Sequence, residues 1–482
     1  MHISSLPGKT GIGTFGREAY RFADFCKKSG FTYWQILPLN PTGYGDSPYQ
    51  SFSSFAGNPY FIDLDDLVEL GLLKKEDIKD CKFLKEERYV DYDSIYFEKM
   101  SILRHAYDNS GFLKDDITAF KEDNKTWLDD YALYMALKKH FSDKPWNKWD
   151  EDMKKREDLA LNRYREILCD EIGFYVFLQH LFFKQWKKLK KYVNSLGLQI
   201  IGDLPIYISM DSADAWCGRD FLQFDKNLNP AAVAGVPPDY FSDEGQLWGN
   251  PLYDWNKLKK NKYGWWIERI KFAMSIYDFT RLDHFRGFAN YWRVPYGEKN
   301  AVCGTWEKGP GIAFFKELSK KCENIKIIAE DLGVIDNSVN ILRDKLKYPG
   351  MRVLQFAYDV NDRDNPYLVH NAIENCVYYT GTHDNDTLMG WYSKLDKANK
   401  EYVDSYFKID GGDINFSLLR GAYSSASNLV VACMQDFLGL DSQHRMNTPS
   451  TKSENWKWRA TLWEINDDLA KKIHHLNTTF SR

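Results

Sequence analysis

Amphipathic stretches with apolar residues at helical spacing alternate along this chain with short, unbroken apolar runs. "REAYRFADFCKKSG" leads into "FTYWQILPLNP" and "FFKQWKKLKKYVNSLG" into "LQIIGDLPIYI", while further on "FFKELSKKCEN" leads into "IKIIAEDLG" and "SVNILRDKLKYPG" into "MRVLQFAYD". A helix, a turn and a run apolar on both faces describe αβ units that feed a parallel sheet covered on both sides. A doubly wound sheet and a closed barrel both satisfy that pattern. The residues that end the runs favour the barrel: Asp203, Asp283, Glu330 and the pair His383–Asp384 each follow a separate apolar run. In a (β/α)8 barrel, reactive groups gather at one rim from the C-terminal ends of several strands. The expected fold is therefore α/β, a (β/α)8 TIM barrel with inserted, mostly helical subdomains and long active-site loops.

The texture divides the chain further. Residues 1–64 carry the first part of the barrel, and 65–170 turn to Lys/Glu-rich helical sequence, read as a mostly helical inserted subdomain. Residues 171–482 hold the remainder of the barrel. Within them a second insertion, about 209–255, is rich in Gly, Pro and aromatics, the composition of a lid or binding loop. Its stretch from Pro237 to Trp248 is the candidate for excluding water.

Composition removes several classes of function. A net charge of −4 leaves no basic excess with which to grip nucleic acid. No apolar segment reaches the ~18 residues needed to span a membrane, and no basic n-region opens the chain. The eight cysteines form no C-x-x-C pair and no zinc spacing, as expected of a reduced, cytoplasmic protein. "THDNDT" lacks the Gly and terminal Glu of a calcium hand, so no metal is expected. "GIGTFG", Gly11 to Gly16, matches a dinucleotide fingerprint, but no apolar strand precedes it and no acidic residue ends the next one. Its glycines read as a mobile rim loop, and no cofactor is expected.

The carboxylates carry the chemistry. Any one of Asp203, Glu330 or Asp384 could cap a helix, but several together, each after a different run, are harder to explain that way. In "TRLDHFRGF", Asp283 stands between Arg281 and Arg286. Alternation along a strand points Arg281 and Asp283 the same way, and the guanidinium is expected to hold Asp283 ionised by lowering its pKa. Glu330 follows the apolar run Ile325–Ala329, which is expected to raise its pKa. One ionised and one protonated carboxyl are what a retaining glycoside reaction needs, as nucleophile and acid/base. Aromatics in loops, Tyr44, Tyr49, Phe52, Tyr240, Phe241, Trp248 and Tyr253, offer flat faces to sugar rings, although most aromatics pack in cores.

"SSLPG", "TYWQILPLNPTGYGDSPYQSFSSFAGNPYFIDL", "IIGDLPIYI", "GVPPDYFSDEGQLWGNPLYDW", "RLDHFRGF", "IIAEDLG", "GTHDNDT" and "RMNTP" follow one another in this order. In this the chain resembles the 4-α-glucanotransferases of the amylomaltase type, called disproportionating enzyme in plants, over nearly its whole length. The resemblance implies a barrel of the α-amylase superfamily, with Asp283 as nucleophile, Glu330 as acid/base and Asp384 as a third carboxylate that grips the sugar's hydroxyls. It implies that Arg281 and His383 support that centre, and that Asp203, Ser47, Tyr49, Gln246, Trp248 and Asn447 line the glucan groove, beside Tyr44. Donors would be α-1,4-glucans and maltooligosaccharides, and acceptors glucose or maltooligosaccharides. The alternative is an α-amylase-like retaining hydrolase with water as acceptor. Family members carry residues ahead of "SSLPG", whereas this chain begins three residues before it. The first barrel strand is accordingly expected to be short or differently supplied.

Overall fold

The computed structural model describes residues 1–43, 45–79, 83, 85–238, 242–333, 335–451 and 454–482. In chain order, the described strands begin with β1 (Tyr33–Gln35), β2 (Gln199–Leu204), β3 (Ala232–Val236), β4 (Gln246–Pro251), β5 (Phe279–Leu282) and β6 (Asn290–Pro295). They continue with β7 (Thr305–Lys308), β8 (Ile327–Ala329), β9 (Gly350–Val353), β10 (Cys376–Tyr379) and β11 (Leu429–Val431).

Two parallel sheets make the centre, one ordered β1-β2-β5-β8 and the other β9-β10-β11. The apolar runs of the sequence supply them: Ile201, Ile328, Met351, Val353, Val377 and Tyr379 pack together between the sheets. Helices such as Arg17–Lys28, Cys169–Ser195 and Gly264–Ile276 bury their apolar sides outside. On one side the sheets are stitched by the Ala329 N–H donating to the Pro349 carbonyl at 2.9 Å and the Met351 N–H donating to Asp331 at 2.7 Å. On the other side, among the described residues, β1 and β11 are each paired on one edge only. A cleft of about 980 Å³ follows that seam, lined in part by Met1, Tyr33, Gln35, Leu429 and Val431. No strand precedes helix Arg17–Lys28 among the described residues; Ile3–Ser5 form a buried 3-10 turn there.

Two insertions flank the site. Between β1 and β2 the described elements are helical, from Pro59–Phe61 to Cys169–Ser195. Beyond β2, the strands β3, β4, β6 and β7 pair antiparallel in the order β4-β3-β6-β7, joining the loop-like stretch 209–255 to the hairpin that follows β5. Of the lid candidate, residues 239–241, and with them Tyr240 and Phe241, lie outside the described residues, as does Tyr44.

"GIGTFG" is no rim loop. Its glycines are buried because other groups need their space: a Cβ on Gly13 would fall 1.8 Å from the Ile3 carbonyl oxygen, and one on Gly16 would fall 2.0 Å from an Asp63 oxygen. Close packing at the start of a helix, not mobility, accounts for the pattern.

Candidate active site

Asp203 and Arg281 face each other in register on the paired strands β2 and β5. Nη1 of Arg281 donates to both oxygens of Asp203, at 3.0 and 2.8 Å, and to Asp283 Oδ1 at 2.9 Å. The strand alternation thus places Arg281 and Asp283 side by side as expected. Arg286 turns elsewhere, donating to Asn290 and to Asp336. Asp203 is only 1% exposed and also accepts the Tyr49 hydroxyl at 2.7 Å. Its carboxylate is occupied in holding Arg281 and Tyr49, behind the surface of the groove.

Glu330 follows β8, where its N–H donates to the Leu282 carbonyl. One of its oxygens accepts from the His284 N–H at 2.6 Å and the other from the Leu332 N–H at 2.9 Å. His284 reaches it because its backbone takes the left-handed region, at φ 50°, which is uncommon for a residue other than glycine. Sequence reasoning assigned His284 no role. Its position inside "LDHF", just after a strand carboxylate, is the only sign the sequence gives of this main-chain support.

Burial dominates the electrostatics of both acids. Glu330 is pushed up to about 7 by burial, against the pull of Arg281 and with help from the charge of Asp283. The same cause corrects the expectation for Asp283, which rises to about 6: burial, reinforced by nearby Asp203, outweighs the Arg281 guanidinium. An ion pair in the interior lowers a carboxyl's pKa only by as much as its attraction exceeds the loss of water.

Asp384 stands on the other sheet, after β10. Its Oδ1 accepts from the Asn447 amide at 2.6 Å and its Oδ2 lies 3.4 Å from His383 Nε2. Burial raises its pKa, but His383 and Asn447 together outweigh that and hold the carboxyl at about 2. His383 moves upward in turn, since the attraction of Asp384 outweighs its burial. The ring of Tyr49 stacks on His383, with centroids 4.8 Å apart and planes 20° from parallel. Arg445, which the sequence reading quoted within "RMNTP" without assigning it, donates to the Asp384 carbonyl at 2.8 Å.

The remaining candidates divide. Trp248 reaches the centre, edge-on to His284 at 4.8 Å, and its indole N–H donates to Gln246 at 3.1 Å. Ser47 shapes the turn that presents Tyr49, accepting the Tyr49 N–H at 3.3 Å. Tyr253 belongs to the core, its hydroxyl donating to the Ile206 carbonyl. Among the described residues, no group of three His, Cys, Asp or Glu side chains is placed to hold a metal ion, and no helix is long and apolar enough to cross a membrane.

Three carboxyls therefore converge from β5, β8 and β10, two of them held partly protonated near neutrality and the third fully ionised. Comparison with known proteins shows the family. The sequence model of the 4-alpha-glucanotransferase family matches residues 1–464. A 4-alpha-glucanotransferase of Clostridium butyricum is 49% identical over 486 residues, covering 100% of both chains. One from Thermus thermophilus is 43% identical, covering 98% of this chain and 96% of its own. The solved amylomaltase of Streptococcus agalactiae in complex with acarbose superposes with a TM-score of 0.98 at 39% identity, covering 100% of this chain and 98% of that one. With that likeness the fold is of the (β/α)8 barrel class, to which the parallel strands among the described residues, β1, β2, β5, β8, β9, β10 and β11, contribute. The chain belongs to the 4-alpha-glucanotransferase family.

Proposed function

We propose that the chain disproportionates α-1,4-glucans and maltooligosaccharides by a double displacement at Asp283. Asp283 attacks the anomeric carbon while Glu330 hands its proton to the departing glycosidic oxygen; the C–O bond breaks, and a β-linked glucosyl-enzyme remains. Glu330, now ionised, takes the proton of the 4-hydroxyl of glucose or of a second maltooligosaccharide. That oxygen attacks the anomeric carbon and expels Asp283, so two inversions restore the α configuration. Asp384, held ionised, is placed to bind hydroxyls of the distorted sugar and to balance its positive charge. Arg281 positions Asp283, and Asp203 with Tyr49 positions Arg281.

The observation that carries this reading is the pair of carboxyls after β5 and β8, both raised by burial, with the charge of Asp283 acting on Glu330. Incubation with maltotriose tests it: glucose together with a ladder of longer oligomers is the expected product pattern. Glucose and maltose alone would mean that water is the acceptor, and the α-amylase-like reading would replace this one. Unpaired cysteines among the described residues fit a reducing, cytoplasmic setting for the reaction.

The same pair fixes a pH dependence. Activity needs one carboxyl ionised and the other protonated, so kcat/KM is expected to be bell-shaped, rising through about 6 and falling through about 7. The two limbs belong to the coupled pair rather than to either residue. Initial rates at low maltotriose across that range check it, and a profile flat from about pH 5 to 8 would remove the paired-acid assignment.

A further inference from the structure

One exposed aromatic, Trp306, is tied to the acid/base through the segment His284–Arg286 and has no part in the catalytic centre. Trp306 sits on β7, the outer strand of the antiparallel sheet, and is 44% exposed although it is one of the largest apolar side chains. It is not loose. The ring of Trp292, its partner across the β6–β7 pair, meets it edge-on at 5.1 Å, and the Arg286 guanidinium lies over its ring at 4.1 Å from the centroid. Both supports are themselves anchored. The Trp292 indole donates to the Ala301 carbonyl at 2.8 Å, and Arg286 donates to Asn290 at 2.8 Å and to Asp336 at 3.3 Å. A cation over one face and an indole against it steady this ring while the rest of it stays open to water.

Its place in the fold gives the ring a use. Arg286 lies two residues beyond His284, whose N–H binds Glu330, and the Phe285 N–H between them donates to the Glu330 carbonyl at 3.0 Å. The segment His284–Arg286 thus links Glu330, which it binds through two main-chain N–H groups, to Trp306, which it covers with the Arg286 guanidinium. In a retaining transfer the acid/base stands on the side of the departing and arriving sugars, since it moves the proton of their bridging oxygen. An exposed ring tied to the segment that holds Glu330 is on hand for a chain that leaves or enters on that side.

We infer that Trp306 is an acceptor-side platform, on which the C–H face of a glucose unit beyond the reacting end of an α-1,4-glucan packs. This assignment rests on the glucanotransferase reading of Asp283 and Glu330. A short acceptor ends before reaching the platform, and a longer one gains the contact. Trp306 therefore sets which acceptor lengths are preferred while leaving the bond-making step to the carboxyls.

The test measures transfer from maltotriose to radiolabelled acceptors of increasing length, from glucose to maltoheptaose, for the unaltered chain, Trp306→Ala and Trp306→Phe. With Trp306→Ala, KM for maltoheptaose as acceptor is expected to rise about 5- to 10-fold, the scale of one lost aromatic contact, while KM for glucose moves by less than about twofold. Trp306→Phe, which keeps a flat face, should recover at least half of the lost preference. An equal change for glucose and maltoheptaose, or no change for either, overturns the platform while leaving the catalytic reading in place. Absence of longer products from the unaltered chain overturns the catalytic reading, and the platform with it.

Discussion

Replacing Asp283 by Asn is expected to lower transfer from maltotriose by on the order of 10⁴-fold or more, the scale on which loss of a covalent nucleophile acts. An amide oxygen cannot form the ester-like bond to the anomeric carbon, and no other carboxylate stands in its place: Asp203 is bound to Arg281 and Tyr49, and Asp384 to His383 and Asn447. The loss should report chemistry rather than misfolding. Arg281 keeps both of its bonds to Asp203, so the substitution leaves no buried cation without a partner, which is the situation that destabilises a broken interior ion pair. Circular dichroism and thermal unfolding should match those of the unaltered chain, with the product ladder absent. A ladder of undiminished rate would take the nucleophile role away from Asp283.

Glu330→Gln should behave differently, and the difference identifies the role. Without a proton donor the sugar oxygen must leave as an alkoxide, which costs about 10²- to 10⁴-fold on maltotriose. A donor whose leaving group needs no proton, such as α-maltosyl fluoride, bypasses that step. The variant should then release fluoride at a rate approaching that of the unaltered chain and accumulate the glycosyl-enzyme, because no base remains to activate the acceptor hydroxyl. Mass spectrometry of the intact chain would show one added maltosyl unit, located on Asp283. Equal impairment of both donors would mean that Glu330 serves the site in some way other than proton transfer.

The carboxyls were legible because each one ends an apolar run, and a run of that length between turns has few places to go except a buried strand. That rule places Asp203 at the end of β2 and Asp283, Glu330 and Asp384 beyond β5, β8 and β10. The sign of the Asp283 shift could not be read that way, since it depends on how much water the folded site excludes, and no spacing along the chain records that. Nor could the antiparallel sheet be read: "AAVAGV" needs β6, about sixty residues on, as one of its partners, and "QLWGNP" carries a glycine and a proline, so their local composition resembles a loop. The glycines of "GIGTFG" illustrate the same limit. Whether a glycine bends a loop or makes room for a neighbour is decided by Ile3 and Asp63, one of them nearly fifty residues away.

The seam between β1 and β11 bears on how the two halves of the centre are held to each other. Asp283 and Glu330 ride on one sheet and Asp384 on the other, and the sheets are joined by main-chain and carboxylate bonds on the β8–β9 side only. At the opposite side, side chains make the closure: the Tyr379 hydroxyl of β10 donates to Gln35 of β1 at 3.0 Å, and at the rim Tyr49, beyond β1, lies flat on His383, beyond β10, with its hydroxyl fastened to Asp203. The ring is therefore mechanically a hinge with a clasp. The β8–β9 junction is the main-chain join, and under the proposed reaction a sugar held by Asp384 while bonded to Asp283 becomes a further strut across the gap. In such a frame a bound glucan would be part of the load path, adding to the Tyr49–His383 and Gln35–Tyr379 contacts that join the two sheets at rest.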